Sequence, residues 1–284
     1  MCSSDPVSKT TQLVLLGSGT PNADPRRCGP AAALIAGNQA YLVDFGPGVI
    51  RRAAAAAENG CQALEPARLT RAFATHLHSD HTAGYSDLLL TPGVLGRREP
   101  LEVFGPPGLE HMTRHLLEAY RDDLHERING LEPAKPEAYV IHAHEIEPGP
   151  VYQDENVCIH AFPVRHGSWP AYGYRFETAD RTVVISGDTA PVEDLLLYAQ
   201  GCDVLLHEVY SVQGFKKRTP EWQAYHAAMH TSAYELGETA AQVRPGLLVL
   251  YHQLFWDVDE QQLINEIRTR YDGPVVSGKD LDVF

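Results

Sequence analysis

The stretch Thr75-His76-Leu77-His78-Ser79-Asp80-His81 places four metal-capable side chains within six positions, directly after a short apolar run at residues 72–75. In an extended segment residues i and i+2 point the same way, so His76 and His78 can share one cation. Where the chain then turns into a helix, Asp80 and His81 swing toward a neighbouring position and can hold a second. A lone histidine is usually a surface or core residue, but an H-x-H-x-D-H cluster is hard to explain that way.

Three more polar residues stand where apolar runs stop, which aims side chains into a cleft at a sheet edge. His166 follows Phe162-Pro163-Val164-Arg165, Asp188 follows Val183-Val184-Ile185, and His252 follows the run at residues 247–251. With the cluster they make seven candidate metal ligands: His76, His78, Asp80, His81, His166, Asp188 and His252. His230 precedes Thr231-Ser232, and Ser232 with Glu235 reads as a capping box, so His230 lies beside helix amides that favour an anion.

Runs at residues 13–16, 31–36, 41–45 and 72–75 read as strands, with Gly37-Asn38 a tight hairpin turn. The alanine-rich residues 49–58 before Asn59-Gly60 read as a helix with a glycine stop. Further strands are expected at 101–104, 139–143, 157–162, 172–176, 182–186, 204–206 and 247–251, separated by helical stretches. That order implies an α/β fold of mixed sheets covered by helices. Residues 131–150 read as surface loops with one embedded strand. Residues 210–229, with Lys216-Lys217-Arg218 and several aromatics, read as an active-site lid. Asp257 and Glu260 form a capping box for a last helix, with Leu263, Ile264, Ile267 and Tyr271 as its apolar stripe and Gly273 as its end.

A chain of 284 residues that is 44% hydrophobic can bury one substantial core. The expected organisation is a flexible N-terminus at residues 1–11 and one domain over residues 12–284. With 37 acidic against 23 basic residues and a formal charge of -14, the chain repels polyanions unless cations cluster locally, which disfavours nucleic acid as a partner. The five scattered cysteines form no C-x-x-C pair, so a disulfide framework or cysteine-rich zinc site is not expected. No stretch approaches the roughly 18 apolar residues of a membrane span. No apolar signal segment is evident either, which points to the cytoplasm. The alternative is a lipid-anchored or periplasmic protein, with Cys2 as a lipoprotein's mature cysteine.

Taken together these residues resemble the metallo-β-lactamase superfamily, and within it the ribonuclease Z branch. The resemblance runs through Leu15-Leu16-Gly17-Ser18-Gly19-Thr20, Leu42-Val43-Asp44-Phe45-Gly46-Pro47-Gly48, the metal cluster, Phe104-Gly105-Pro106-Pro107-Gly108-Leu109, Ser186-Gly187-Asp188-Thr189, His207-Glu208, His230-Thr231-Ser232 and His252. It implies an αββα sandwich of two mixed sheets flanked by helices. It also implies two divalent ions of the zinc class, with manganese or iron as alternatives. His76, His78 and His166 would hold the first, Asp80, His81 and His252 the second, and Asp188 would bridge them. Asp80 would count among the catalytic residues as well, His230 would donate the leaving group's proton, and Glu208 would orient it. Asp44 would accept a hydrogen bond from a ligand histidine or from the metal loop.

The resemblance does not extend to the basic arm with which ribonuclease Z proteins grip transfer RNA, since residues 131–150 hold one lysine and several glutamates. The expected order of activities is therefore hydrolysis of a small-molecule phosphodiester, then aryl sulfate hydrolysis, then transfer-RNA 3′ processing. Tyr172, Tyr174, Phe215, Trp222, Tyr225 and Trp256 could line a pocket for an aryl group, though core packing is the commoner use. A non-catalytic metal-binding scaffold is the alternative outside enzymes, and self-association into a homodimer is left open.

Overall fold

The computed structural model describes residues 10–132 and 134–284. Most of the expected flexible terminus, Cys2 included, lies outside these residues. Thr11 is buried, its amide and hydroxyl donating to the Asp180 carboxylate at 3.0 and 2.6 Å.

The first sheet is built in the order β1 (Gln12–Gly17), β2 (Ala31–Ala36), β3 (Gln39–Val43), β4 (Arg71–Phe73), β5 (Leu101–Gly105) and β6 (Ile141–Glu145). β1 to β3 pair antiparallel and β3 to β6 parallel. Gly37, at φ 60°, makes the expected tight turn between β2 and β3. β6 starts later than the sequence suggests, because Pro136–Tyr139 form a 3-10 turn. The helices on this side are α1 (Val49–Glu58), α2 (Ser79–Thr82), α3 (Tyr85–Val94), α4 (Leu109–Ala119) and α5 (Arg121–Asn129).

The second sheet comprises β7 (Gly149–Gln153), β8 (Val157–Pro163), β9 (Tyr172–Thr178), β10 (Thr182–Ile185), β11 (Val204–Tyr210), β12 (Leu247–Leu254) and β13 (Val275–Ser277), in the reverse of that order. β7 to β10 pair antiparallel and β10 to β13 parallel. Its helices are α6 (Glu193–Ala199), α7 (Val212–Phe215), α8 (Pro220–Met229), α9 (Ala233–Val243) and α10 (Glu260–Arg268). α9 opens on the Ser232/Glu235 capping box expected from sequence. α10 does not open on Asp257: Asp257 stands at φ 65° in a turn, and Asp259 caps the helix by accepting from the Gln262 amide at 2.7 Å. The helix also stops at Arg268, short of Gly273.

Side chains alternate across a strand, so each sheet buries two apolar faces. Leu13 and Leu15 of β1 point inward to meet Tyr174, Phe176, Ile185 and Leu206 of the other sheet. Val14 and Leu16 point outward to pack under α1, at Val49 and Ala53. On the far side Val184, Leu205 and Leu248 pack against Leu236 and Ala240 of α9 and Leu263 and Ile267 of α10. Two mixed sheets thus lie between two helical layers, the expected αββα sandwich. Tyr172 and Tyr174 belong to the inter-sheet core, not to a pocket, with hydroxyls donating to the carbonyls of Ile146 and Ala74. Among the described residues no helix is long and apolar enough to cross a membrane.

Candidate metal centre

The seven candidate ligands converge at one edge, mostly just past the C-terminal ends of parallel strands, where open α/β sheets place their clefts. His76 follows β4, His78 caps α2, and Asp80 and His81 ride on that short helix. His166 follows β8 and Asp188 follows β10. The expected strand at residues 247–251 in fact continues to Leu254. Glu208 pairs with Tyr251 and Val209 with Gln253, so His252 is the extra residue of a β-bulge, at φ 42°. A bulge re-aims a side chain without ending the strand, which is how His252 reaches the cleft.

One half of the cluster consists of three imidazoles. Nδ1 of His78 lies 3.1 Å from Nε2 of His76 and 3.0 Å from Nε2 of His166. The Nδ1–H of His166 donates to the Met229 carbonyl at 2.8 Å, which leaves its Nε2 a lone pair. Burial, with repulsion from neighbouring imidazoles, pulls His76 well below the usual histidine range; burial likewise takes His78 down to about 4 and lowers His166. Three neutral rings thus turn nitrogens toward one point. A tetrahedral zinc about 2.0–2.1 Å from each nitrogen would hold them about 3.3–3.4 Å apart, close to the spacing found.

The other half is rich in carboxylate. Asp188 Oδ2 lies 3.5 Å from His81 Nε2 and 3.4 Å from His252 Nε2, and Asp80 Oδ2 lies 3.6 and 3.2 Å from the same two nitrogens. Burial opposes a charge on His81, but the Asp188 and Asp44 carboxylates outweigh it and hold its pKa well above the usual value. Burial likewise opposes ionisation of Asp188, and His252 and His81 overcome it. His81 Nε2 and Asp188 Oδ1 are buried with no hydrogen-bond partner in the protein, as ligand atoms would be. The Asp188 carboxylate also comes within 4.8 Å of ligand nitrogens of His76 and His166, so it touches both halves. The residues therefore fit divalent cations.

Asp44 braces this half from below. It accepts from the Thr75 amide at 2.7 Å and from Nδ1–H of His81 at 2.7 Å, as expected of this residue just past β3. These bonds hold it at φ 60°, a left-handed conformation that side chains other than glycine seldom adopt. Gly46 lets the backbone pass beside the metal loop, since a Cβ there would sit 2.5 Å from the Asp80 carbonyl.

Glu208 and His230 join the cluster at its side. Glu208 is fully buried, its Oε1 accepting from the amides of Thr231 at 2.8 Å and Thr189 at 3.3 Å. Its Oε2 faces Nδ1 of His230 at 3.4 Å. Burial, then the nearby Asp188 charge, pushes Glu208 well above the usual carboxylate range, while burial takes His230 down to about 4. His207, its neighbour in sequence, belongs to none of the ligand groups.

Three features of the site escape a reading by motif. Trp169 packs edge-on against His78 at 4.4 Å between ring centroids. The carbonyl of Met229, at the end of α8, holds His166. Trp222, His226 and His230 form a column of rings that continues onto His252, with centroids 5.5, 5.6 and 5.6 Å apart. The i, i+4 spacing of residues 222, 226 and 230 was the available signal.

The family described as "Beta-lactamase superfamily domain" matches residues 39–253. A protein named ribonuclease Z from Mycobacterium bovis (strain BCG / Pasteur 1173P2) is 34% identical over 278 residues, covering 95% of this chain and 96% of its own. Among solved structures, the metallo-beta-lactamase fold protein YhfI from Bacillus subtilis superposes with a TM-score of 0.74 at 17% identity, covering 96% of this chain and 98% of that one. The short form of human tRNase Z superposes with a TM-score of 0.72 at 21% identity, with the same two coverages, 96% and 98%. The chain belongs to the beta-lactamase superfamily and, within it, to the ribonuclease Z family of metal-dependent hydrolases.

Proposed function

We propose that the chain cuts a phosphodiester bond in RNA, as a transfer-RNA 3′-processing endoribonuclease, with two divalent cations of the zinc class at the centre described above. The observation that carries the substrate class is the end-to-end likeness to a protein named ribonuclease Z, at 34% identity over 95% of this chain and 96% of that one. An alignment of 278 residues with those coverages leaves no room for a long arm in the relative that this chain lacks. The missing arm is therefore no argument against RNA, and the order of substrates expected from it is reversed here. Nor does the overall charge of -14 decide the matter, because Arg165 beside His166, and Lys216, Lys217 and Arg218 before α8, have no carboxylate within ion-pair distance among the described residues.

In this reading His76, His78 and His166 would hold one cation and Asp80, His81 and His252 the other, with Asp188 within reach of both sets. Nitrogen and carboxylate donors suit zinc, and also manganese or iron. Bound ions would supply a water of near-neutral pKa and offset charge on the phosphate. The chain's own residues do the rest. Asp44 and the Met229 carbonyl fix the rings of His81 and His166 so that Nε2 of each faces the centre. Oε2 of Glu208, held protonated by burial and by Asp188, stands 3.4 Å from Nδ1 of His230 without hydrogen-bonding it; closing that gap would let it donate to Nδ1 and leave Nε2–H of the ring as the donor. As the departing oxygen takes that proton, Nδ1 recovers one from Glu208.

The test is a parallel assay of metal-loaded protein on precursor transfer RNA, an aryl phosphodiester and an aryl sulfate. A single salt-sensitive cut at the 3′ side of the acceptor stem is expected. Turnover of either aryl ester with the precursor left intact would restore a small-molecule substrate.

A further inference from the structure

α7 and α8 occupy the stretch read from sequence as a lid, and they treat its three cations differently. Lys216 and Lys217 are exposed, whereas Arg218 is half-buried. Its guanidinium carbon lies 5.7 Å from the ring centroid of Trp222 and 5.6 Å from that of Trp256. Two indoles thus grip one arginine, an arrangement that orders a long side chain in advance. Among the described residues the side chain of Arg218 makes no hydrogen bond or ion pair, and its Nε is buried without a partner.

Beside it the apolar surface is unusually open. Trp222 is 49% exposed and Tyr225 43%, although both belong to a helix that buries His226 and Met229. The two rings meet edge to face at 5.6 Å. Tyr225 also packs edge-on against His226, with ring centroids 5.1 Å apart. The ring column from Trp222 through His226 and His230 to His252 joins this surface to the second set of ligands. An aromatic step beside a charged, prepositioned arginine matches the two halves of a nucleotide, a flat base and a phosphate.

We propose that Tyr225 and the exposed half of Trp222 stack the base of the nucleotide next to the cleaved bond, while Arg218 pairs with that nucleotide's outer phosphate. This rests on the RNA reading above and assigns the lip of the site a role in choosing single-stranded RNA.

The test uses a short single-stranded ribo-oligonucleotide, its counterpart abasic at the nucleotide beside the cut, and two readouts: binding to chelator-treated protein by fluorescence anisotropy, and KM and kcat of the metal-loaded protein. Trp222→Ala or Tyr225→Ala should each weaken binding about tenfold, with the loss falling on KM. The abasic oligonucleotide should bind wild-type protein as poorly as the variants bind the intact one, and the variants should lose nothing further on it. Trp222→Phe should recover most of the loss, and Arg218→Ala should lower the slope of log Kd against log salt by about 0.7. Binding that weakens as described without any cleavage would sink the endonuclease reading and leave the stacking lip standing. Cleavage of RNA with Kd and KM unmoved by the variants and by the abasic site would overturn the lip alone, and absence of both binding and cleavage would overturn both.

Discussion

The two halves of the metal centre use similar residues under opposite electrostatics. His76, His78 and His166 are neutral imidazoles, pushed away from their charged forms by burial and by one another. Against the burial of both rings, Asp188 with Asp44 draws a proton onto His81, and Asp188 with Asp80 draws one onto His252. The halves are also held differently, since His166 is oriented by a backbone carbonyl at the end of α8 and His81 by the buried side chain of Asp44. One half therefore offers lone pairs without charge, and the other offers charge that a cation would neutralise. The carboxylate half should bind its ion more tightly and be the more vulnerable to single side-chain changes around it.

Asp188 is the residue on which that distinction converges, because it joins candidate ligand groups with nitrogens of both halves. Asp188→Ala should empty both positions and lower activity by at least about 10³-fold, as read by elemental analysis alongside turnover. Two ions retained at full activity would end the case for a shared centre. His230 stacks on His252 and lies within 4.8 Å of ligand atoms of His166 and Asp188, but the proposed ligand set is complete without it, so His230→Ala should keep both ions. Its loss should be about 10²- to 10⁴-fold for a ribose leaving group and much less for nitrophenolate. Equal slowing across a leaving-group series would make it a positioning residue.

Asp44→Asn separates the halves, because asparagine tolerates the positive φ while removing the charge that supports His81. Metal affinity should fall about 10- to 100-fold at the carboxylate half, taking the content from two ions toward one. Equal weakening of both ions would show that the halves are not independent. The smallest effect is expected from Thr75→Val, which deletes a hydroxyl bonded to Asp44 at 2.9 Å while Asp44 keeps the Thr75 amide and His81. The same hydroxyl lies 3.0 Å from Nδ1 of His76, so a loss of affinity of about tenfold or less is expected, felt by both halves, and a loss confined to the carboxylate half would mean that the contact to His76 contributes nothing.

Much of this arrangement was legible beforehand, for reasons that differ by residue. Glycine punctuation and apolar runs mark β2 and α1 to the residue, since both elements follow from local composition. The strand at β7 and the short β13 were missed: Gly149 and Pro150 resemble loop, and three residues carry little pattern. The start of α10 was misplaced by two residues because Asp257 and Asp259 are both plausible caps, and only the chain's turn at Trp256 and Asp257 selects the second.

By itself the sequence determined the chemistry available at the site, because H-x-H-x-D-H concentrates ligands within one turn of chain and local geometry alone brings them together. It also determined the layered architecture, through strands that are apolar on both faces. The tertiary structure decided what depends on distant segments meeting. Asp188 lies between two ligand sets only because the end of β10, the middle strand of its sheet, meets Thr75 of the other sheet's metal loop, where a Cβ on Gly187 would come within 2.9 Å of Thr75, and His252 reaches the cleft only through a bulge that periodicity does not record. It also separated Arg218 from its lysine neighbours, since only packing between two indoles distinguishes a held cation from solvated ones.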